Sequence, residues 1–200
     1  MKRFLYTAVS FLLVFQTHSL YSSETSDSIR IYGGLYSHTT FLDITIRQNT
    51  DYDRSSILVG SYSRSLKTNL RDVYFFSEGQ IGKHYGIQDH WELNGALFAR
   101  WKLPIRWMDL SLGLGEGFSL ASENPPLENQ KWDLLKLRMK RETSMPLLNY
   151  IAADLEAGLP DSFIASSVFI RIHHRSGIFG TYCPGVCGSN FVTYGVRVDL

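Results

Sequence analysis

The stretch Arg171-Ile172-His173-His174-Arg175-Ser176-Gly177 contains the residue types from which a nucleophilic site is made. His174 and Ser176 are two apart, so on an extended chain both side chains leave the same face. An imidazole beside a hydroxyl can take its proton and activate the oxygen for attack on a carbonyl carbon. That face also carries Val168, Ile170 and Ile172, a run in which a His and a Ser have no packing role. The blander alternative is a strand end that has left apolar surroundings, with both side chains hydrated. Arg171, His173 and Arg175 have the opposite parity. They are expected to pair with carboxylates such as Glu92, Asp154 or Glu156, because buried charges need partners.

The elements that must position these residues alternate apolar and polar positions with period 2. Val192, Tyr194, Val196, Val198 and Leu200 share one parity, and Thr193, Gly195, Arg197 and Asp199 the other. Trp91, Leu93, Leu97 and Trp101 alternate with Glu92, Asn94, Arg100 and Lys102, and Met108, Leu110, Leu112 and Leu114 with Asp109, Ser111 and Gly113. Charges and glycines recur on the second face of nearly every strand. That pattern predicts a polar, hydrogen-bonded lumen and an apolar outside, the inverse of a soluble lipocalin-like barrel, which is the alternative. Strands are expected near 29–46, 56–66, 71–83, 91–102, 107–119, 147–158, 166–176 and 190–200, the first broken near Ser37-His38. The fold class is therefore all-β, an eight-stranded antiparallel transmembrane β-barrel. Connections after the second, fourth and sixth strands are short, and those after the first, fifth and seventh are longer. The longest, residues 120–146, is expected on the extracellular side. Within it, residues 127–141 carry Leu134, Leu135, Leu137 and Met139 among Lys131, Lys136, Arg138, Lys140 and Arg141. This predicts a short basic amphipathic helix able to meet anionic phosphates at the membrane surface, or simply to cap the barrel mouth.

Composition agrees. The chain has 200 residues, formal net charge +1 from 20 Lys+Arg against 19 Asp+Glu, 44% hydrophobic and 14% aromatic residues. One domain is expected, disorder is excluded, and a dedicated nucleic-acid binder is disfavoured. Lys2-Arg3, the apolar run Phe4 to Phe15 and the small residues of Thr17-His18-Ser19 match a secretory signal peptide. Residues 1–19 are expected to be removed, with cleavage as late as 23, leaving 20–200 as the barrel. In an exported chain Cys183 and Cys187, around a Pro-Gly turn, can close a small disulfide or stay as free thiols. No histidine cluster lies near them at zinc-ligand spacing, and no metal or organic cofactor is expected.

The final residues Thr193 to Leu200 resemble the C-terminal assembly signal of Gram-negative outer-membrane barrels, with Leu200 where Phe is usual. This implies the barrel-assembly machinery as a partner. His174-Arg175-Ser176-Gly177, late in an eight-stranded exported barrel, resembles the outer-membrane lipid A 3-O-deacylase family, also called acyloxyacyl hydrolase-like. Gly79-Gln80-Ile81-Gly82-Lys83-His84, His90-Trp91-Glu92, Gly115-Glu116-Gly117, Leu147-Leu148-Asn149-Tyr150 and Gly188-Ser189-Asn190 are similar to an uncharacterised branch of it. The resemblance implies Ser176 as nucleophile, His174 as base, and the backbone amides of Gly177 and Ile178 as oxyanion donors. The family's acid, a Glu in or after the next loop, has no counterpart, since residues 177–198 contain no Asp or Glu. If the turn after the sixth strand centres near Pro160-Asp161/Ser162, Asn149 lies opposite His174 and can orient it, as in Cys-His-Asn enzymes. Glu116, which continues the outward parity of Leu112 and Leu114, is a second candidate two strands away.

Two functions are then expected to compete. One is an outer-membrane serine esterase that removes an ester-linked acyl chain from lipid A of lipopolysaccharide in the outer leaflet. The other is a non-enzymatic outer-membrane barrel, structural or lipopolysaccharide-binding.

Overall fold

The computed structural model describes residues 27–47, 50–66, 70, 72–105, 107–128, 131–132, 139–140, 144–160, 165–178, 181–183 and 187–200. The expected signal peptide lies outside them. Eight strands form one closed barrel: β1 (Asp27–Ser37), β2 (Tyr52–Leu66), β3 (Val73–Gly86), β4 (Trp91–Lys102), β5 (Leu110–Ala121), β6 (Leu147–Gly158), β7 (Ser167–Ser176) and β8 (Gly188–Asp199). All neighbours are antiparallel. The seam closes because β1 pairs on one side with β2, Ile31 opposite Gly60, and on the other with β8, Ile31 opposite Val196. Closure leaves no unpaired edge, which a strand bundle in hydrocarbon requires.

The alternation sorts the side chains as a membrane demands. Outward positions such as Ile31, Leu58, Leu97, Leu114 and Ile170 are exposed, Leu97 to 63%. Trp101 and Phe75 stand outward near the chain-terminal end, and Tyr85, Trp91 and Phe118 near the far end, as interfacial aromatics do. The lumen is packed and charged. Glu78 binds Arg30 at 2.6 Å and Arg171 at 2.5 Å; Asp154 binds Arg171 at 2.7 Å and Arg100 at 2.8 Å; Glu156 binds Arg100 at 2.6 Å. Each of these groups is buried, so the pairing is obligatory: one missing partner would strand an uncompensated charge. Aromatic rings fill the spaces between them. Phe76 and Phe98 stack at 4.8 Å, and the Arg171 guanidinium lies 4.8 Å from the Phe98 ring. Gly115 makes room for Phe98, because a Cβ there would sit 2.4 Å from its ring.

Two expectations need correction. The first strand stops at Ser37, at the break expected near Ser37-His38, but the segment beyond it is the helix α1 (Phe41–Arg47) rather than further strand. Thr40 caps it: the Asp43 amide donates to Thr40 Oγ1 at 3.2 Å, and Thr40 Oγ1 donates back to Asp43 Oδ2 at 2.8 Å. The basic helix expected over 127–141 is not what the described residues form. Pro126–Glu128 is a single 3-10 turn, and Lys131–Trp132 pairs antiparallel with Met139–Lys140 as a small ribbon; residues 129–130, 133–138 and 141–143 lie outside the description. Leu135, Leu137 and Met139 alternate with Lys136, Arg138 and Lys140, so over this short window the sequence fits period 2 as well as a helix.

Candidate active site on the outer face of β7

His174 and Ser176 stand on the outward face of β7, at the barrel end far from the chain termini. The strand's rise separates them by about 6–7 Å. Cross-strand register completes the surroundings. His174 pairs with Asn190 of β8 on one side and with Ile151 of β6 on the other; Ser176 pairs with Gly188 and Asn149. Four polar side chains on three adjacent strands therefore gather on a face whose exposed side chains are mostly apolar.

The imidazole is half-buried, and its Nδ1 lies 3.1 Å from the Ser189 carbonyl oxygen. A carbonyl only accepts, so the neutral ring carries its proton on Nδ1 and leaves the lone pair on Nε2. That is the tautomer a general base needs. Helix α1 folds down beside it. Phe41 lies 5.3 Å from the His174 ring, and Ile44 packs with Ile172 and Val192. The Ser176 hydroxyl accepts from the Ile178 amide at 3.2 Å. The two side chains thus share a face but are each engaged with another partner.

Ile178 has φ 43°, a left-handed backbone that is costly for a β-branched residue. Such strain persists where neighbours enforce it. Here the Thr181 amide donates to the Ile178 carbonyl at 3.0 Å and the Tyr182 amide to the Gly177 carbonyl at 3.1 Å, with the Cys183–Cys187 disulfide beside the turn. Gly177 lies against the disulfide, for a Cβ there would fall 2.3 Å from Cys183 Sγ and 2.6 Å from Cys187 Sγ. The Gly177 amide donates to the Cys187 carbonyl at 3.0 Å.

That last bond corrects one expectation. The Gly177 N–H is committed to the Cys187 carbonyl and the Ile178 N–H to Ser176 Oγ, so of the two expected oxyanion donors Gly177 is tied to the loop and Ile178 to the hydroxyl itself. Asn149 is also displaced from its expected place, for it stands opposite Ser176 and Ile151 takes the place opposite His174. The register between β6 and β7 is offset by two residues from a turn centred at Pro160-Asp161/Ser162. The Asn149 Nδ2 is buried with no hydrogen-bond partner. Glu116 is exposed on the outer face in the same row as His174, but Ile151 lies between them.

Asn190 is the polar neighbour that sequence reasoning missed. Its Nδ2 donates to the Thr39 carbonyl at 2.9 Å, and its side chain also interacts with the His174 ring. Its outward parity with Val192 and Tyr194 was the available signal. The lumen-facing neighbours sort differently: His173 meets Glu92 at 2.8 Å, Arg171 meets Asp154, and Arg175 meets Glu128 of the long loop at 2.9 Å. The Arg175 partner is thus a loop carboxylate rather than Glu92, Asp154 or Glu156.

Fold and site together define a class, the eight-stranded lipid-facing barrel with a filled polar lumen. The crystal structure of the outer membrane enzyme PagL matches the fold, with a TM-score of 0.55 and 11% sequence identity over 86% of this chain and 99% of that chain. At this identity the likeness is one of fold. No family model matches the chain, and no curated protein matches it.

Proposed function

We propose that the chain is an outer-membrane serine esterase that removes an ester-linked acyl chain from lipid A. The observation that carries this reading is the polar group His174, Ser176, Asn149 and Asn190 on the hydrocarbon-facing side of β6–β8. With the chain termini in the periplasm, the far end lies at the outer leaflet, where lipid A presents its acyl esters. His174 Nε2 takes the Ser176 proton as Oγ attacks the ester carbonyl. As Oγ bonds to the carbonyl carbon it gives up the hydrogen bond it accepts from the Ile178 amide, and that amide and the unpartnered Asn149 Nδ2 hold the oxyanion that forms. The carbonyl–oxygen bond to the sugar then breaks, and the proton on His174 passes to the leaving hydroxyl. Water, deprotonated by the same imidazole, cleaves the acyl-enzyme and frees the fatty acid. The Ser189 carbonyl fixes the ring, and Asn190 flanks it.

A second reading is a non-enzymatic lipopolysaccharide-binding barrel. It draws support from the lack of a carboxylate beside His174 among the described residues. Mass spectrometry of lipid A from cells with and without the protein separates the two. The esterase reading expects loss of one acyl mass that Ser176→Ala abolishes. Unchanged lipid A, both in cells and with the purified protein in lipopolysaccharide-containing vesicles, supports the binding barrel.

A further inference from the structure

The lumen holds a second cluster of reactive side chains near its far end, none of which the esterase reading uses. His84 on β3, His90 just before β4 and Glu92 on β4 each offer one donor atom, and these lie within 4.8 Å of one another. His173 of β7 reaches the same carboxylate from across the barrel. His84 Nε2 is 2.7 Å from Glu92 Oε2, and His173 Nε2 is 2.8 Å from Glu92 Oε1. All four side chains are buried.

Two atoms of this cluster are unsatisfied. His90 Nε2 is buried with no hydrogen-bond partner, in a residue only 3% exposed, and so is Gln88 Oε1. An orphaned imidazole nitrogen in a closed lumen is unusual, because buried polar atoms nearly always find a partner. Glu92 is engaged by the other two rings, its Oε2 by His84 and its Oε1 by His173.

We propose that His84, His90 and Glu92 bind a divalent transition-metal ion of the zinc type in the barrel lumen. Two imidazoles and a carboxylate are donors that suit such an ion, and water completes a tetrahedral set. The surrounding groups supply the outer shell that metal ligands require. With the ion on His84 Nε2, the ring proton moves to Nδ1, which lies 3.2 Å from the Gln88 amide. Turning that amide presents its orphaned Oε1 as the acceptor. Glu92 keeps Oε1 on the His173 Nε2–H and frees Oε2 for the ion. The His173 ring is held in turn at Nδ1 by the hydroxyls of Tyr32 and Tyr150, each at 3.4 Å. Both unsatisfied atoms thereby gain partners.

One side chain has to move. The His84 and His90 rings are stacked, 4.1 Å between centroids and 14° apart, so their lone pairs run parallel. A common ion needs them to converge, and the His90 ring must turn out of the stack. Its backbone stays fixed, since the His90 carbonyl accepts from the His84 amide at 2.9 Å. The nearby cations do not occupy the site. Arg175 is directed to Glu128 and to the Met145 and Pro146 carbonyls, and Lys83 pairs outside with Asp89.

The test uses the full protein, without an affinity tag, extracted in detergent. Titration with Co²⁺ is expected to give the visible absorption of an ion in a nitrogen and oxygen site, saturating at one ion per chain. Zn²⁺ is expected to displace it and to raise the unfolding temperature. His90→Gln removes a ligand whose Nε2 has no hydrogen bond to lose, so the barrel is expected to fold and bind at least on the order of 10–100-fold more weakly. His38→Gln, at an exposed histidine outside the cluster, is the control and leaves binding unchanged. Equal affinity in His90→Gln, or no absorption change in the wild type, overturns the proposal. X-ray absorption of the zinc-loaded wild type gives a check that needs no variant. Scattering from two imidazoles at about 2.0–2.1 Å is expected. A shell of water oxygens or a single ring overturns the proposal. Neither result bears on the esterase, because the lumen cluster and the outer-face site lie on opposite faces of the wall.

Discussion

At the residue scale, the proposed nucleophile and base act as one unit, so losing either removes most of the rate. Ser176→Ala and His174→Ala are each expected to lower lipid A deacylation by about 10³-fold or more while the barrel still assembles. Asn149→Ala is expected to cost about 10²-fold in kcat if its amide holds the oxyanion. Asn190→Ala is expected to cost less, because the Ser189 carbonyl still fixes the ring. Kinetics in lipopolysaccharide vesicles rank the four, and a larger loss in Asn190→Ala than in Asn149→Ala would reverse the two roles. His173→Ala has a different expected signature, loss of stability. It strips Glu92 Oε1 of a donor in the lumen, and an orphaned buried group costs about 1–3 kcal/mol. Heat-modified gel mobility reads this directly. The His-x-Ser pair was legible in sequence because parity alone puts both residues on one face. Asn190 was not, because its value lies in register with His174, which depends on the length of the preceding loop. The commitment of the Gly177 amide was hidden for the same reason, since its acceptor lies across the disulfide loop.

At the element scale, the strands were legible because period-2 alternation between lipid and lumen leaves little freedom of register. Helix α1 was not. Ile44, Thr45 and Ile46 favour a strand, and only the Thr40-x-x-Asp43 cap announces a helix. The loop after β7 carries its own prediction. Gly177→Ala is expected to abolish activity, because its Cβ collides with both sulfurs of the disulfide. Replacing Cys183 and Cys187 by Ala in that background removes the collision and is expected to restore part of the rate. A Gly177→Ala variant with wild-type turnover would show that the disulfide does not set the Ile178 conformation. The long loop is tied down by Glu128, whose carboxyl accepts from Arg175 and from Ser189 Oγ at 2.8 Å. Burial drives Glu128 up from 4.5 to about 7, against the pull of Arg175 and with a contribution from Glu92. The folded protein then holds this proton more tightly than the unfolded chain does. The associated stability is full below about pH 4.5 and is lost as pH rises through about 7, on the order of 3 kcal/mol in all. Proteolysis of residues 122–146 is expected to be faster at about pH 8 than at about pH 5.5, and Glu128→Gln is expected to flatten that dependence.

At the scale of the whole molecule, the apolar exterior and the closed sheet predict outer-membrane fractionation and a mobility change on heating. Recovery as a soluble periplasmic protein would defeat the membrane reading. The filled lumen has an electrical consequence. Arg30, Arg100 and Arg171, clasped by Glu78, Asp154 and Glu156 and wedged between Phe76, Phe98 and Phe169, pack as buried side chains across the barrel lumen. An ion crossing would have to part several buried pairs at once. The protein is therefore expected to be silent in a planar bilayer under voltage, unlike a porin of similar exterior. Replacing Arg171 and Asp154 together by alanine is expected to open the first measurable conductance.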